Sequence, residues 1–176
     1  LQELCRKDGS DISPTLRIVD LPPDKQRIVR AIRQEDVGQM LAVDAIVVKI
    51  SSVRPRVIEA VFRCCNGDCG GTESILQSNE QELIEPSFCN ACNLRKPAAR
   101  FEMLPAQSIM ENTQFIELQE PPEKLRGGLQ PERLVCLIEG EIAGKIVPGD
   151  RIIANGELFV RSQRKAGKTS TLFDIF

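Results

Sequence analysis

The chain has 176 residues, enough for one large domain or two or three small ones, and its 41% hydrophobic and 27% charged residues exclude a disordered or collagenous protein. It has no His, Trp or Tyr and only 7 Phe, which excludes His-based catalysis and His metal ligands and leaves little for gripping single strands by base stacking. A net charge of −2 and a pI near 5.4 argue against a general nucleic-acid binder, but Arg161, Arg164, Lys165 and Lys168 fall in a stretch without acids, so the remaining residues sum to −6.

Between Cys64 and Leu94 the balance is reversed: Asp68, Glu73, Glu80, Glu82 and Glu85 occur with no Lys or Arg. Glu111, Glu117, Glu120 and Glu123 form a further acidic stretch before Lys124. One element is therefore suited to meet an anion and the other surfaces are not. No apolar run reaches the roughly 18 residues of a membrane helix, and the first residues lack the order of a signal peptide. A soluble protein of a reducing, cytoplasmic compartment, without a membrane partner, is expected. The start at Leu1 and the apolar ending Leu172 to Phe176 are the pattern of a segment cut from a longer protein.

In chain order, residues 1–15 read as the tail of a helix stopped at Gly9, the remnant of a helical subdomain. Leu16 to Leu21 alternates like a strand and is closed by Pro22-Pro23. Asp24 to Arg33 reads as a short helix, with Asp24 as its N-cap and Ile28, Val29 and Ile32 on one face. The β-branched run from Met40 to Val53 predicts a strand and Val57 to Phe62 the next, with Arg54-Pro55-Arg56 between them. After a cysteine-rich segment, apolar runs return at Phe115 to Leu118, Leu134 to Ile138, Ile152 to Val160 and Leu172 to Phe176, separated by Pro- and Gly-containing turns. Many short strands with little helix predict a mainly β fold, a small barrel with an insertion.

The cysteines identify the insertion. Seven is an odd number in a chain without a secretion signal, so a disulfide framework is the weaker reading. Four residues separate Cys64 from Cys69, 19 separate Cys69 from Cys89, and two separate Cys89 from Cys92. Two thiol pairs on tight turns can hold one tetrahedral Zn2+, and four thiolates close its shell, so the metal is expected to be structural rather than catalytic. The predicted ligands are Cys64, Cys69, Cys89 and Cys92, with Cys65 as an alternative to Cys64. Cys5 and Cys136 are expected to be small buried residues.

Glu157 to Phe176 reads as a β-hairpin with a polar tip carrying Arg161, Arg164, Lys165 and Lys168. Its Gly167-Lys168-Thr169 imitates a phosphate-binding loop. The full motif needs glycine where Ser162 stands and a following helix where Thr171 to Phe176 is β-prone, so nucleotide binding here is rejected. The tip is either a solvated turn or a finger contacting phosphates without regard to sequence.

The order of these features resembles the N-terminal region of the minichromosome maintenance (MCM) replicative DNA helicases, most like the archaeal ones. The resemblance is carried by Ser52-Val53-Arg54-Pro55, Ala60-Val61-Phe62-Arg63-Cys64, the two cysteine pairs, Gln119-Glu120-Pro121-Pro122-Glu123 with Gly128 and Pro131-Glu132-Arg133, and Val147-Pro148-Gly149-Asp150-Arg151 with Gly156. It implies a five-stranded oligonucleotide-binding (OB) barrel in two parts, 16–61 and 104–176, interrupted by a zinc ribbon at 62–103, with the basic hairpin at about 157–176. It further implies a homo-oligomer, hexamer or double hexamer, that encircles single- or double-stranded DNA. The hairpin would point into the channel, and Arg54, Arg56 and Arg133 would lie where the family contacts DNA. Gln119 to Arg133 corresponds to a loop that passes signals to the ATPase domain. The family carries a proline-arginine pair in that loop, and here Glu132 separates Pro131 from Arg133. ATP and Mg2+ would be bound only by a C-terminal ATPase domain, since no Walker motif or arginine finger occurs in this stretch, which by itself is expected to be non-catalytic. Two other classes share the composition: a free-standing zinc-containing single-strand-binding OB protein, and a zinc-ribbon adaptor that binds only protein.

Overall fold

A computed structural model describes residues 17–67, 69–77, 82–125, 127–165 and 168–175. The expected helical remnant at 1–15, with Cys5, lies outside the described residues, as does the Ala166-Gly167 tip. Among the described residues ten strands carry the regular structure: β1 (Gln26–Arg27), β2 (Met40–Ile50), β3 (Arg54–Cys64), β4 (Thr72–Leu76), β5 (Phe101–Met103), β6 (Ile109–Gln119), β7 (Arg133–Glu139), β8 (Arg151–Glu157), β9 (Val160–Lys165) and β10 (Lys168–Ile175). Among the described residues only short 3-10 turns accompany them, so the fold described is mainly β.

The chain divides into two units. One takes in the chain through Val48, Leu118–Val135 and the segment from Gly149; the other takes in Lys49–Glu117 and Cys136–Pro148. In the first, β1 pairs in parallel with β2, Gln26 opposite Ala42 and Arg27 opposite Val43. β8 pairs antiparallel with β2 from Met40↔Glu157 to Ile46↔Arg151. The β-branched and small residues of β2 supply its core, with Leu41, Val43, Ala45 and Val47 buried together with Val29, Ile32, Leu118 and Leu158. β9 and β10 form a separate antiparallel hairpin.

In the second unit β3 is the organising strand. It pairs antiparallel with β6 along its first half and with β4 and β5 along its second. One face of its second half buries Ala60, Phe62 and Cys64, each at most 2% exposed. Phe62 lies opposite both Glu73 and Met103, and Cys64 opposite Phe101, so the strand that builds the core also delivers the first metal-type cysteine.

Four local expectations are corrected. Residues 17–21 form no strand: Asp20 takes a left-handed backbone with φ 56, and Pro22-Pro23 offers no amide donors. The helix expected over Asp24 to Arg33 is replaced by 3-10 turns at Pro23–Lys25 and Val29–Ala31, with β1 between them. Pro22, not Asp24, precedes the first turn. A helix that short is marginal by itself, and pairing with β2 is the stronger use of the backbone. Arg54-Pro55-Arg56 is no connection but the start of β3; the turn is Ser51 to Val53, and β2 stops at Ile50. Pro55 is tolerated because this end of β3 registers with β6 alone, opposite Asn112, while the pairing with β4 starts only at Glu59. The run from Ile152 to Val160 is divided between β8 and β9, with Leu158 buried where they meet.

Candidate functional site

The cysteine cluster grows out of two knuckles. In the first, the Cys64 amide donates to Gly71 O at 2.8 Å and the Cys69 amide to Asn66 O at 3.1 Å, which brings the two cysteines together. In the second, Phe88 and Arg95 form an isolated bridge, the Cys89 amide donates to Leu94 O at 2.9 Å, and Asn93 turns the chain with φ 56. The Glu73 carboxylate on β4 accepts from the Asn90 amide at 2.7 Å and from its side chain at 2.6 Å, tying the second knuckle to the strand beside the first. The knuckles approach so closely at Gly71 that a Cβ there would stand 2.5 Å from the Ala91 Cβ.

The four Sγ atoms of Cys64, Cys69, Cys89 and Cys92 lie within 4.8 Å of one another, with Cys64 to Cys92 at 3.9 Å and Cys69 to Cys89 at 3.7 Å. A disulfide needs about 2.05 Å. A tetrahedron of sulfurs about 2.3 Å from a central Zn2+ has edges of about 3.8 Å, so the donor set and its spacing fit a metal ion. Cys65 is exposed and points elsewhere, its Sγ 3.7 Å from Arg63 O and 3.9 Å from Glu102 Oε2.

The electrostatics agree with a cation site. The Asn66 amide favours the Cys64 thiolate, but burial and the neighbouring thiols outweigh it and carry the thiol up to about 12. At Cys69 the Gly71 amide acts in the same direction and is likewise outweighed, so that thiol is raised. The Cys92 amide, with that of Ala91, holds Cys89 down to about 7 against the effect of burial. Thiols this close cannot all ionise without a positive charge among them. Cys136, expected to be fully buried, is only half-buried, and desolvation raises its thiol to about 11.

The basic residues are distributed over several elements. On the hairpin, the register sets Lys165 opposite Lys168 and Arg164 opposite Thr169, which concentrates three cations at the closed end. Arg161 is paired in register with Asp174, further down the strands. Arg54 is exposed at the start of β3 and Arg133 is exposed at the start of β7. Arg56 instead makes an ion pair with Glu139 at 2.6 Å.

Sequence reasoning missed a second charged centre. Glu120 is 2% exposed, and its carboxylate takes Arg30 in a forked pair at 2.6 and 3.0 Å. It also accepts the backbone amides of Arg30 at 3.0 Å and Glu132 at 3.2 Å, while the Glu120 amide donates to Glu132 O. One side chain thus closes the loop from Gln119 to Arg133 at its base and fastens it to the turn at Val29–Ala31. The Arg30 hydrogen bonds hold the Glu120 carboxyl below its usual range despite burial. Further along the loop, Lys124 reaches Asp44 at 2.8 Å, and Asp44 also takes a forked pair from Arg151 at 2.9 and 3.0 Å. Arg151 first, then Lys124, hold the Asp44 carboxyl well below the ordinary carboxylate range. Arg30 and Glu120 stand 90 residues apart, and no local pattern links them.

These features define a mainly β domain of the OB type that carries a four-thiol cluster. The family profile for the MCM OB domain matches residues 27–162, and the chain belongs to that family. It is 29% identical over 166 residues to the minichromosome maintenance protein MCM of Saccharolobus solfataricus, a match covering 92% of this chain and 23% of that protein. It is 24% identical over 153 residues to DNA replication licensing factor MCM4 of Drosophila melanogaster, covering 87% of this chain and 17% of that protein. The crystal structure of the N-terminal domain of an archaeal MCM is similar with a TM-score of 0.74 and 30% identity, covering 87% of this chain and 58% of that one. The chain therefore spans less than a quarter of the length of these curated relatives. No helix among the described residues is long and apolar enough to cross a membrane.

Proposed function

We propose that this chain is the DNA-binding, ring-forming N-terminal segment of an MCM replicative helicase. In this reading it is an OB barrel from 16–61 and 104–176 with a zinc ribbon at 62–103, and it acts on the chromosome within a reducing cytoplasm. Zn2+ held by Cys64, Cys69, Cys89 and Cys92 serves structure: it neutralises the thiolates and keeps folded a segment too small to bury a core of its own. ATP and Mg2+ belong to an ATPase domain elsewhere in the parent protein. The assembly is a hexamer or double hexamer around single- or double-stranded DNA.

The observation that carries the DNA reading is the hairpin register. Arg164, Lys165 and Lys168 fall together at the end of a two-stranded finger, and with Arg161 they stand on a chain that is otherwise −6. With so few aromatics, contact is to the phosphates and indifferent to sequence. Arg161, Arg54 and Arg133 add phosphate contacts in this scheme, and Arg56 joins them by exchanging Glu139 for phosphate. Replacing Arg164 and Lys165 with Ala is expected to weaken binding alike for different oligonucleotides and to reduce the salt slope by about 1 to 2. Unchanged affinity at low salt in the folded double variant overturns the finger as the contact. Light scattering tests the ring: a strict monomer at high concentration that still saturates single-stranded DNA would favour the free-standing OB protein instead.

A further inference from the structure

The second cysteine knuckle leans on the strand that leaves the first. The register Phe62↔Glu73 sets Glu73 of β4 on the face of β3 that carries Phe62 and Cys64, since cross-strand partners project from the same face. Gly71, whose carbonyl takes the Cys64 amide at 2.8 Å, lies two residues earlier. The contacts then run in step along two segments. A Cβ on Gly71 would stand 2.5 Å from the Ala91 Cβ and 3.5 Å from the Sγ atoms of Cys69 and Cys89. Glu73 in turn holds Asn90, the residue between Cys89 and Ala91.

Glu73 is half-buried and spends both carboxylate oxygens on that one residue: Oε1 accepts the Asn90 amide at 2.7 Å and Oε2 accepts Asn90 Nδ2 at 2.6 Å. The two bonds fix the peptide that follows Cys89 together with the side chain beside it. The next two amides, of Ala91 and Cys92, face the Cys89 sulfur. Among the described residues the first knuckle is held differently, by the main-chain bonds from Cys64 to Gly71 and from Cys69 to Asn66. A negative side chain beside four thiols is costly unless its bonds repay it, and here both bonds serve the second knuckle.

We propose that Glu73 is a positioning residue of the metal site: acting through Asn90, it holds the Cys89–Cys92 turn in the shape that closes around the ion and thereby sets how long the ion stays. This rests on the zinc reading of the four thiols, of which Glu73 is not one of the ligands. A metal leaves a four-thiolate shell one bond at a time. A turn held in place returns a detached thiolate to the ion, whereas a loose turn carries it away. Cys89 and Cys92 share the turn that Glu73 holds, so half of the shell depends on this one carboxylate. Loss of a group that orients metal ligands typically costs about 10- to 100-fold in affinity.

The test follows zinc release from the loaded full chain into an excess of a coloured chelator, and in parallel the thiolate-to-metal absorption of the chain loaded with Co2+. Glu73→Met keeps the length of the side chain and removes both acceptors. It is expected to speed release about tenfold and to shift the Co2+ bands. Glu73→Gln removes the charge alone: its amide oxygen takes the Asn90 amide, and its NH2 meets the Asn90 side chain turned end for end. Release close to the parent rate is expected there. Asn90→Ala, which loses one bond of the two, is expected to fall between the parent and Glu73→Met, and it carries the test if Glu73→Met takes up no metal. Release at the parent rate from both Glu73→Met and Asn90→Ala overturns the proposal. Release from Glu73→Gln as fast as from Glu73→Met also overturns it, by making the charge rather than the two bonds the cause. A parent chain that takes up no Zn2+ overturns the four-thiol reading itself, and this inference with it.

Discussion

In the ribbon four thiols converge on one another, whereas at Glu120 a buried carboxylate converges on a guanidinium and two backbone amides. Both centres fasten together segments that would otherwise separate, but the charges they gather differ. Ionised thiols carry only negative charge and need a cation from outside the chain, so under the proposed zinc binding the ribbon's order follows metal supply. The Glu120 centre brings its own cation and is complete as the chain folds. The first should respond to chelators and also to acid, because protons compete with the metal for the thiolates, whereas the second should respond to acid and not to chelators.

The largest expected effect breaks the ribbon. Cys89→Ser, or a strong chelator, is expected to release zinc and unfold the segment between the knuckles, because structural zinc contributes on the order of 10 kcal/mol or more to small domains. Metal analysis and a far-ultraviolet or NMR melt check this. Metal content that stays intact in Cys89→Ser overturns the ligand set. A smaller effect separates packing from coordination. Gly71→Ala leaves all four thiols in place but sets a Cβ 2.5 Å from that of Ala91. Over-packing of this kind costs about 1 to 3 kcal/mol, and Ala91→Gly in the same chain is expected to restore most of it. Failure of that rescue would show that the contact does not limit the ribbon.

On the other side of the comparison, Glu120→Ala is expected to cost about 1 to 3 kcal/mol, because it leaves the Arg30 and Glu132 amides without their acceptor. Zinc content should not change. Hydrogen exchange at those two amides is the sensitive readout, and unchanged protection would refute the clamp.

The two centres also differ in how openly the sequence displays them. The thiol pairs are spaced by four and two residues within their own turns, so composition and spacing alone point to the cluster. Only the choice between Cys64 and Cys65 needs coordinates, since both sit beside the same turn and differ in which face of β3 they follow. Glu120 and Arg30 carry no such mark: each is an ordinary surface-type residue until β2 and the loop from Gln119 bring their segments together. The misread segments have the same origin. A proline in Arg54-Pro55-Arg56 signals a turn unless the strand lacks a neighbour on one side, and that is a property of the sheet. Asp24 to Arg33 has the spacing of a helix face, yet Val29 and Ile32 bury as well from a single 3-10 turn, which leaves Gln26 and Arg27 to pair with β2.

The smallest expected effect sharpens the comparison inside the charged region itself. Asp44 has the same chemistry as Glu120, with Arg151 and Lys124 as partners, but its side chain is 24% exposed against 3% for Glu120. Water and salt therefore compete for it, and exposed pairs of this kind are worth under about 1 kcal/mol. Both carboxyls are held below their usual range, so both contribute stability that is present above the unfolded carboxylate range and is lost as pH falls through the lowered folded values. Asp44→Asn should thus shift the thermal midpoint slightly at neutral pH and low salt, less in high salt, and not at all once acid has protonated the parent side chain. Glu120→Gln should lose stability at neutral pH with little dependence on salt, because the carboxylate itself is 3% exposed and shielded from ions. If the two variants respond equally to salt, burial is not what distinguishes the clamp at Glu120 from the ion pairs at Asp44.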